Sequence, residues 1–368
     1  MNSASPLPDY IEAIETIYLD PEVGNSPLAA RVLSRLPGRR IVRTVDNRIE
    51  PRPDREETSI HLKHFRGDFL RFCPGTRKYN CCGYRIIHIG ENCPLSCTYC
   101  ILKAYFQDRM LKVWANQDDL RVELDKAFGA NRNLRFRVGT GEFTDSLVLE
   151  PLTGYSADLV EFLSDYDNVR LELKSKVVDL SWMDKARRPE LVLPAWSLNA
   201  PEITARQEIG ATTLEQRLEA ARTCAANGFR VCLHFDPIIH FPGWEKGYQE
   251  ITDMIFDYLK PEDIAYLSLG SFRFMPELKD FIEKNHPQAD YVHNEFITGL
   301  DNKKRLLRPL RVAQFKFMVK RLRSFGLEKQ LYFCMESDEV WKAVFGYTPK
   351  SFGGLSLRLM DMAFGPCK

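Results

Sequence analysis

From residue 84 onward, short β-branched or apolar runs alternate with longer stretches of helical periodicity, an order that few folds accept. Strands are predicted at Tyr84–Gly90, Leu134–Gly139, Val169–Lys174, Leu191–Asn199, Phe229–Ile239 and Ile264–Phe272. Between them the spacing predicts helices at Leu120–Gly129, Tyr155–Leu163, Val178–Arg187, Thr212–Gly228 and Glu245–Leu259. Clearest is Thr212–Gly228, where Thr212 or Thr213 can cap, Leu214, Leu218, Ala221 and Ala225 recur at helical spacing, and Gly228 stops the helix. Parallel strands joined by helices cross over right-handedly, so the natural closure is a partial (β/α)6 TIM-type barrel, with an open doubly wound sheet as the alternative. In either, the loops at the C-terminal ends of the strands build the site. The class is α/β, divided into an N-terminal extension (1–83), the barrel (84–272) and a C-terminal capping and substrate-binding region (273–368). Ile41–Val45 reads as a short strand in the first part, and Leu300–Phe325 and Gln330–Met335 as a helix and a strand in the last.

The 51 basic and 50 acidic residues cancel, so bulk charge points to neither a nucleic acid nor a membrane surface, and any basic patch is local. The opening MNSASPLPDYIEAIETIYLD has no basic-then-apolar order, and no run of roughly 18 apolar residues occurs. A soluble, cytoplasmic chain without a membrane partner is expected. Ten cysteines in a reducing compartment serve as metal ligands or core filler more often than as disulfides.

Three of them, Cys93, Cys97 and Cys100, follow the first barrel strand in the stretch GENCPLSCTYC. A tetrahedral zinc site wants four ligands, usually as two close pairs. Here the spacing is C-x3-C-x2-C with no fourth ligand nearby; His88 precedes the loop and the next cysteine is Cys224. Three thiols on a four-iron cluster leave one iron open, which can chelate the amino and carboxylate groups of S-adenosylmethionine. Buried or zinc-binding thiols are the alternative.

This loop, with the aromatic Tyr99 before its last cysteine, resembles that of the radical SAM superfamily. The resemblance implies a [4Fe-4S] cluster on Cys93, Cys97 and Cys100 and bound S-adenosylmethionine. It also implies reductive cleavage of the cofactor to a 5′-deoxyadenosyl radical, an electron donor such as flavodoxin or ferredoxin, and the backbone of Tyr99 against the adenine. Gly139-Thr140-Gly141-Glu142 is similar to the superfamily's Gly-Gly-Glu element, which assigns Gly141 and Glu142 to the cofactor's amino group and makes Glu142 the catalytic candidate. Lys174, Ser197 and Asn199 end the third and fourth strands, where a barrel keeps its site.

More of the chain resembles one family within that superfamily, the spore photoproduct lyases, which reverse a methylene-bridged thymine dimer in DNA. The likeness runs through Tyr18-Leu-Asp-Pro-Glu22, Arg40–Val45, Leu173-Lys174, Ser197-Leu-Asn199, Arg217–Pro237 and Gly243-Trp-Glu-Lys-Gly-Tyr248. It implies that Thr144, Lys174 and Ser197 contact S-adenosylmethionine. Two positions depart from the pattern: the family's hydrogen-donor cysteine is replaced by Glu142, and the tyrosine after the third cluster cysteine by Ile101. Neither side chain gives up a hydrogen atom readily, so the family's relay is expected to be absent and the reaction to differ.

Three substrate readings follow: a lyase-like or repair-like enzyme on a nucleic acid or nucleotide, a radical SAM enzyme for a small metabolite or peptide, and a non-catalytic zinc-dependent nucleic-acid-binding protein. For the first, residues 303–323 carry nine basic residues and no acidic one, a candidate phosphate-binding face or an ordinary solvated one. Cys73, Cys81 and Cys82 precede the first barrel strand as free thiols, a hydrogen donor or part of a second cluster; Cys224 and Cys232 read as core filler, and Cys334 and Cys367 have no assignment. His234-Phe-Asp-Pro237 and His240 are candidates for the pocket rim.

Overall fold

The computed structural model describes residues 6–45, 49, 58–75 and 78–365. Its strands in chain order are β1 Thr16–Leu19, β2 Arg40–Arg43, β3 Ser59–Lys63, β4 Leu70–Phe72, β5 Arg85–Ile87, β6 Gly90–Glu91, β7 Leu111–Trp114 and β8 Phe136–Gly139. There follow β9 Val169–Ser175, β10 Val192–Ser197, β11 Val231–Ile238, β12 Ile264–Ser271, β13 Arg273–Phe274, β14 Phe296–Thr298, β15 Lys304–Leu306 and β16 Leu331–Phe333. The main sheet runs β16-β12-β11-β10-β9-β8-β5-β4. Every neighbouring pair from β5 to β16 is parallel, and only β4 is antiparallel. The six predicted barrel strands therefore stand side by side in sequence order, as a partial (β/α)6 barrel requires. The predicted C-terminal strand joins them as a seventh parallel member beside β12.

Strand β9 shows why this sheet curls around a polar interior. Val169, Leu171 and Leu173 alternate on one face and are buried in the apolar core, while Arg170, Glu172 and Lys174 occupy the other. The central inward charge is paired: Glu172 faces the Arg137 guanidinium at 3.6 Å and His234 at 3.4 Å, and accepts the Tyr266 hydroxyl. Burial alone would raise the Glu172 carboxyl, but His234, Arg137 and Tyr266 outweigh it and bring the group down to about 2.

A second sheet, β2-β1-β3-β7-β6, is built mainly from the N-terminal part and recruits two strands from the stretch that follows the first barrel strand. The predicted strand Tyr84–Gly90 accordingly divides: β5 stays in the barrel, and Gly90 pairs with Val113 on β7. A Cβ at Gly90 would lie 2.2 Å from the Lys112 carbonyl oxygen, so no other residue fits there. One continuous core runs from Ile11, Ile17 and Leu62 through Trp114 and Leu171 to Phe333 and Trp341, joining both extensions to the barrel.

The helices Gln117–Gly129, Tyr155–Leu163, Leu214–Ala226 and Trp244–Tyr258 lie where predicted. Thr213, not Thr212, is the cap, with Gln216 completing a reciprocal capping box. The predicted helix Val178–Arg187 is instead one 3-10 turn, Ser181–Lys185, held by the fully buried Trp182 and followed by Pro189. In the last region the helix is Arg308–Ser324, with Pro309 in its first turn, and the residues before it form β15.

Beneath the cysteine loop sits a fully buried ion pair, Arg217 and Glu208, at 2.7 Å. Arg217 also donates to the carbonyls of Ser197 (2.8 Å) and Thr212 (2.7 Å), linking β10 to the start of the Leu214–Ala226 helix. Removing one partner leaves the other charged and buried, so Arg217→Met is expected to lower the unfolding free energy by roughly 3–5 kcal/mol, read from urea midpoints. For Glu172 the folded group titrates below an unfolded carboxyl. Its contribution is complete above about pH 4.5 and is lost as pH falls towards about 2. Glu172→Gln should flatten the stability-versus-pH curve in that window; an unchanged slope would contradict the pairing.

Candidate functional site

The cysteine loop is pinned from both sides. Asn92 adopts a left-handed backbone (φ 69°), which Asn tolerates, and its side-chain amide donates to the carbonyls of Asp108 (3.1 Å) and Met110 (2.9 Å). Its backbone N–H donates to Phe143 at 3.0 Å, while Ser96 and Thr98 donate to Ile209 and Gln207 at 2.9 Å each. Tyr99 donates its hydroxyl to Glu208, so the buried Arg217–Glu208 pair holds the loop as well as the helix below it.

Cys93, Cys97 and Cys100 open together into a cavity of about 270 Å³ at the C-terminal ends of the barrel strands. Burial raises all three thiols, with Asp145 adding to Cys93, and Cys97 is pushed up to about 12. Any metal taken up by these thiols would therefore have to displace protons. Among the described residues no three His, Cys, Asp or Glu groups converge closely enough to hold one metal ion, as a tetrahedral zinc site would need.

Of the other sequence candidates, Tyr99, Gly141, Glu142, Thr144, Lys174 and Ser197 line the same cavity. Gly141 packs against the end of β9, where a Cβ would lie 2.8 Å from the Lys174 carbonyl oxygen. Asp145 staples this loop to β9: its carboxylate accepts from Leu147 and Val148 on one side, and from the Ser175 hydroxyl (2.7 Å) and Lys176 N–H (2.8 Å) on the other. Burial would pull the Lys174 ammonium down, yet Glu142, Glu172 and Asp236 hold it above its ordinary value. Among the described residues, the Glu142 carboxylate, the Thr144 and Ser197 hydroxyls and the Lys174 ammonium have no hydrogen-bonding protein partner.

Three expectations are corrected. Asn199 does not line the cavity; its amide donates to Pro237 at 3.0 Å and accepts from the Ala200 N–H (3.0 Å) and the Tyr248 hydroxyl (2.5 Å), which fixes the loop after β10. Residues 303–323 present a basic face only in part, with Arg308, Lys316 and Lys320 exposed along the helix. Arg305 and Arg311 are buried against Asp301 and Glu336, Arg321 pairs with Asp253 and Arg323 with Glu328, while Lys303 faces the cavity. His240 bonds Asn294 at 3.2 Å, away from the cavity that His234, Asp236 and Pro237 do line. His88 is core, packed against Phe65, Trp114 and Phe143, and burial brings it down to about 3.

Sequence reasoning left Arg137, Glu172, Arg273, Lys176 and Cys334 outside the site, and all of them line it, as do Cys73, Cys81 and Cys82, whose sequence position left free thiols, a hydrogen donor or a second cluster open. The signal for Arg137 and Glu172 was present as charges alternating with apolar residues in strands that are otherwise fully buried. Cys334 had none, because it arrives on β16 from a distant part of the chain. Cys367 lies outside the described residues.

Comparison with known proteins agrees with this architecture. Among solved structures, a variant of spore photoproduct lyase superposes with a TM-score of 0.74 at 21% identity, over 88% of this chain and 98% of that one. Another variant, with bound AdoMet and dinucleoside spore photoproduct, gives 0.73 at 20% identity, over the same shares. Among curated proteins, the spore photoproduct lyase of a Geobacillus strain is 25% identical over 206 residues, and that of Bacillus subtilis is 24% identical over 207. Each alignment covers 55% of this chain and 60% of the relative, so the chain spans about three fifths of the length of those curated relatives. The family model described as spore photoproduct lyase matches residues 75–337, well over half of the sequence, and the chain belongs to that family.

Proposed function

We propose that this chain is a radical SAM enzyme, with Cys93, Cys97 and Cys100 as the three ligands of a [4Fe-4S] cluster and S-adenosylmethionine bound in the cavity they line. One observation carries the reading. Three thiols share a cavity with a carboxylate, an ammonium and two hydroxyls that the protein leaves without hydrogen-bonding partners of its own, which is the complement of an amino-acid headgroup. When bound, the cluster and cofactor together supply one-electron cleavage of a sulfonium, giving a carbon radical that takes hydrogen from a substrate.

The chain's residues hold and orient. Glu142 receives the cofactor's ammonium and Lys174 its carboxylate, while Thr144 and Ser197 donate to the remaining oxygens. Gly141 lets the backbone approach closely, and the Tyr99 phenol, fixed by Glu208, keeps the last turn of the loop rigid beside the adenine. A small electron-transfer protein such as flavodoxin or ferredoxin delivers the electron.

A nucleic acid or nucleotide is the substrate class, supported by family membership and by Lys303 and Arg273 in the cavity wall. Glu142 and Ile101, at the positions where the family has its donor cysteine and relay tyrosine, favour a reaction other than photoproduct reversal. The internal pairing of residues 303–323 favours a second reading, a small metabolite or peptide.

Anaerobic reconstitution should yield about four irons per chain, and changing Cys93, Cys97 and Cys100 together to alanine should remove them. Retention of the iron would end the proposal. Glu142→Gln should weaken S-adenosylmethionine binding by about tenfold in equilibrium dialysis while the iron content holds; unchanged affinity would reject that role. Because four of the nine cations of the basic segment are paired internally, duplex DNA binding should show a shallow salt slope, about −2 to −4 in log K against log salt. Absence of binding at low salt would favour the second reading.

A further inference from the structure

A carbon radical generated in this cavity has to be quenched by a hydrogen atom, and the two positions that carry the weak O–H and S–H bonds in the family hold Ile101 and Glu142 here. The cavity nonetheless contains four thiols besides the three of the loop: Cys73, Cys81, Cys82 and Cys334. They can be told apart. Cys81 is exposed. Cys82 is engaged by Cys81 and by Arg137, which, against the effect of burial, draw its thiol below the ordinary value. Cys73, which follows the edge strand β4, lies close enough to Cys334 to act on it electrostatically, but its thiol is met by the Gly75 backbone rather than by a charged pair.

Cys334 stands directly after β16, whose residue Phe333 pairs with Leu269 of β12, and so belongs to the same C-terminal pole as Lys174 and Ser197. It is pinned there. The Arg273 guanidinium donates to its sulfur at 3.5 Å, Asp236 lies within hydrogen-bond reach of the same thiol, and Arg273 and Asp236 pair at 3.2 Å. Burial and the Asp236 carboxylate keep its proton in place. An independent sign that the cavity receives a ligand is the Tyr84 hydroxyl, which lines it, is 6% exposed and finds no partner among the described residues.

Building on the radical reading above, we propose that Cys334 is the hydrogen-atom donor of this cavity, held in place by the Arg273–Asp236 pair. In the step, the Cys334 S–H bond breaks homolytically, its hydrogen forms a C–H bond on the carbon radical, and the unpaired electron stays on Sγ. One electron from the low-potential electron-transfer protein and one proton then restore the thiol. Arg273 and Asp236 are positioning residues: they fix the sulfur and exchange no hydrogen with the radical.

The test needs no knowledge of the substrate. Reconstituted protein in D2O, where thiols exchange to S–D, is given S-adenosylmethionine and dithionite alone, and the 5′-deoxyadenosine formed is weighed by mass spectrometry. Wild-type protein should give a product with one deuterium, and Cys334→Ala and Cys334→Ser should each lose that label while iron content and S-adenosylmethionine affinity stay as in the wild type. Cys73→Ala should keep the label. A label that persists in both Cys334 variants, or that never enters the wild-type product, overturns the assignment of Cys334 and leaves the radical reading standing. No 5′-deoxyadenosine at all from wild-type protein carrying its full iron would instead overturn the radical reading, and the donor with it.

Discussion

The buried pair between Arg217 and Glu208 is the contact on which the arrangement turns. A charge pair with no solvent access is costly unless every remaining donor and lone pair is used, and here the extra bonds are what build the site. Arg217 gathers the carbonyls of Ser197 and Thr212, and Glu208 takes the hydroxyl of Tyr99. A cysteine loop, a strand end and a helix start, each from a different stretch of sequence, are thereby registered on one guanidinium. Thiols on a free loop would sample many spacings, whereas the last of these is anchored one residue away from a fixed phenol.

The barrel's second polar group has a different purpose. Arg137, Glu172, His234 and Tyr266 occupy the interior of the parallel strands, where side chains from β8, β9, β11 and β12 meet. Because these charges satisfy one another, the interior remains polar up to the level of Lys174 without leaving an isolated ion, and the cavity can hold both carboxylates and ammonium groups close together. Thiols and charged groups in one small volume suit a zwitterionic ligand better than an apolar one.

Much of this was legible in the amino-acid order. The six parallel strands were visible because apolar runs and helical periodicity alternate, and the cluster loop because three thiols at that spacing directly follow a strand. Lys174 and Ser197 were found by the rule that strand ends make the site. What stayed hidden was long-range. Asn199 obeys the same strand-end rule and yet spends its amide on Pro237, Ala200 and Tyr248, since no local pattern tells which rim residue turns inward. The run of cations at 303–323 looked like a surface until the fold brought Asp301, Glu336 and Asp253 against it. The helix expected at Val178–Arg187 failed because Trp182 is drawn into the core before a second turn can form.

The seventh parallel strand carries an implication for how the molecule is assembled. One wall of the cavity, with Cys334 and Met335, directly follows β16, far along the chain from the cysteine loop, and among the described strands β16 pairs with β12. During synthesis the loop and its three thiols emerge well before that wall exists. The proposed cluster could thus be loaded while the chamber is still open, and docking of β16 afterwards would shut it away from solvent.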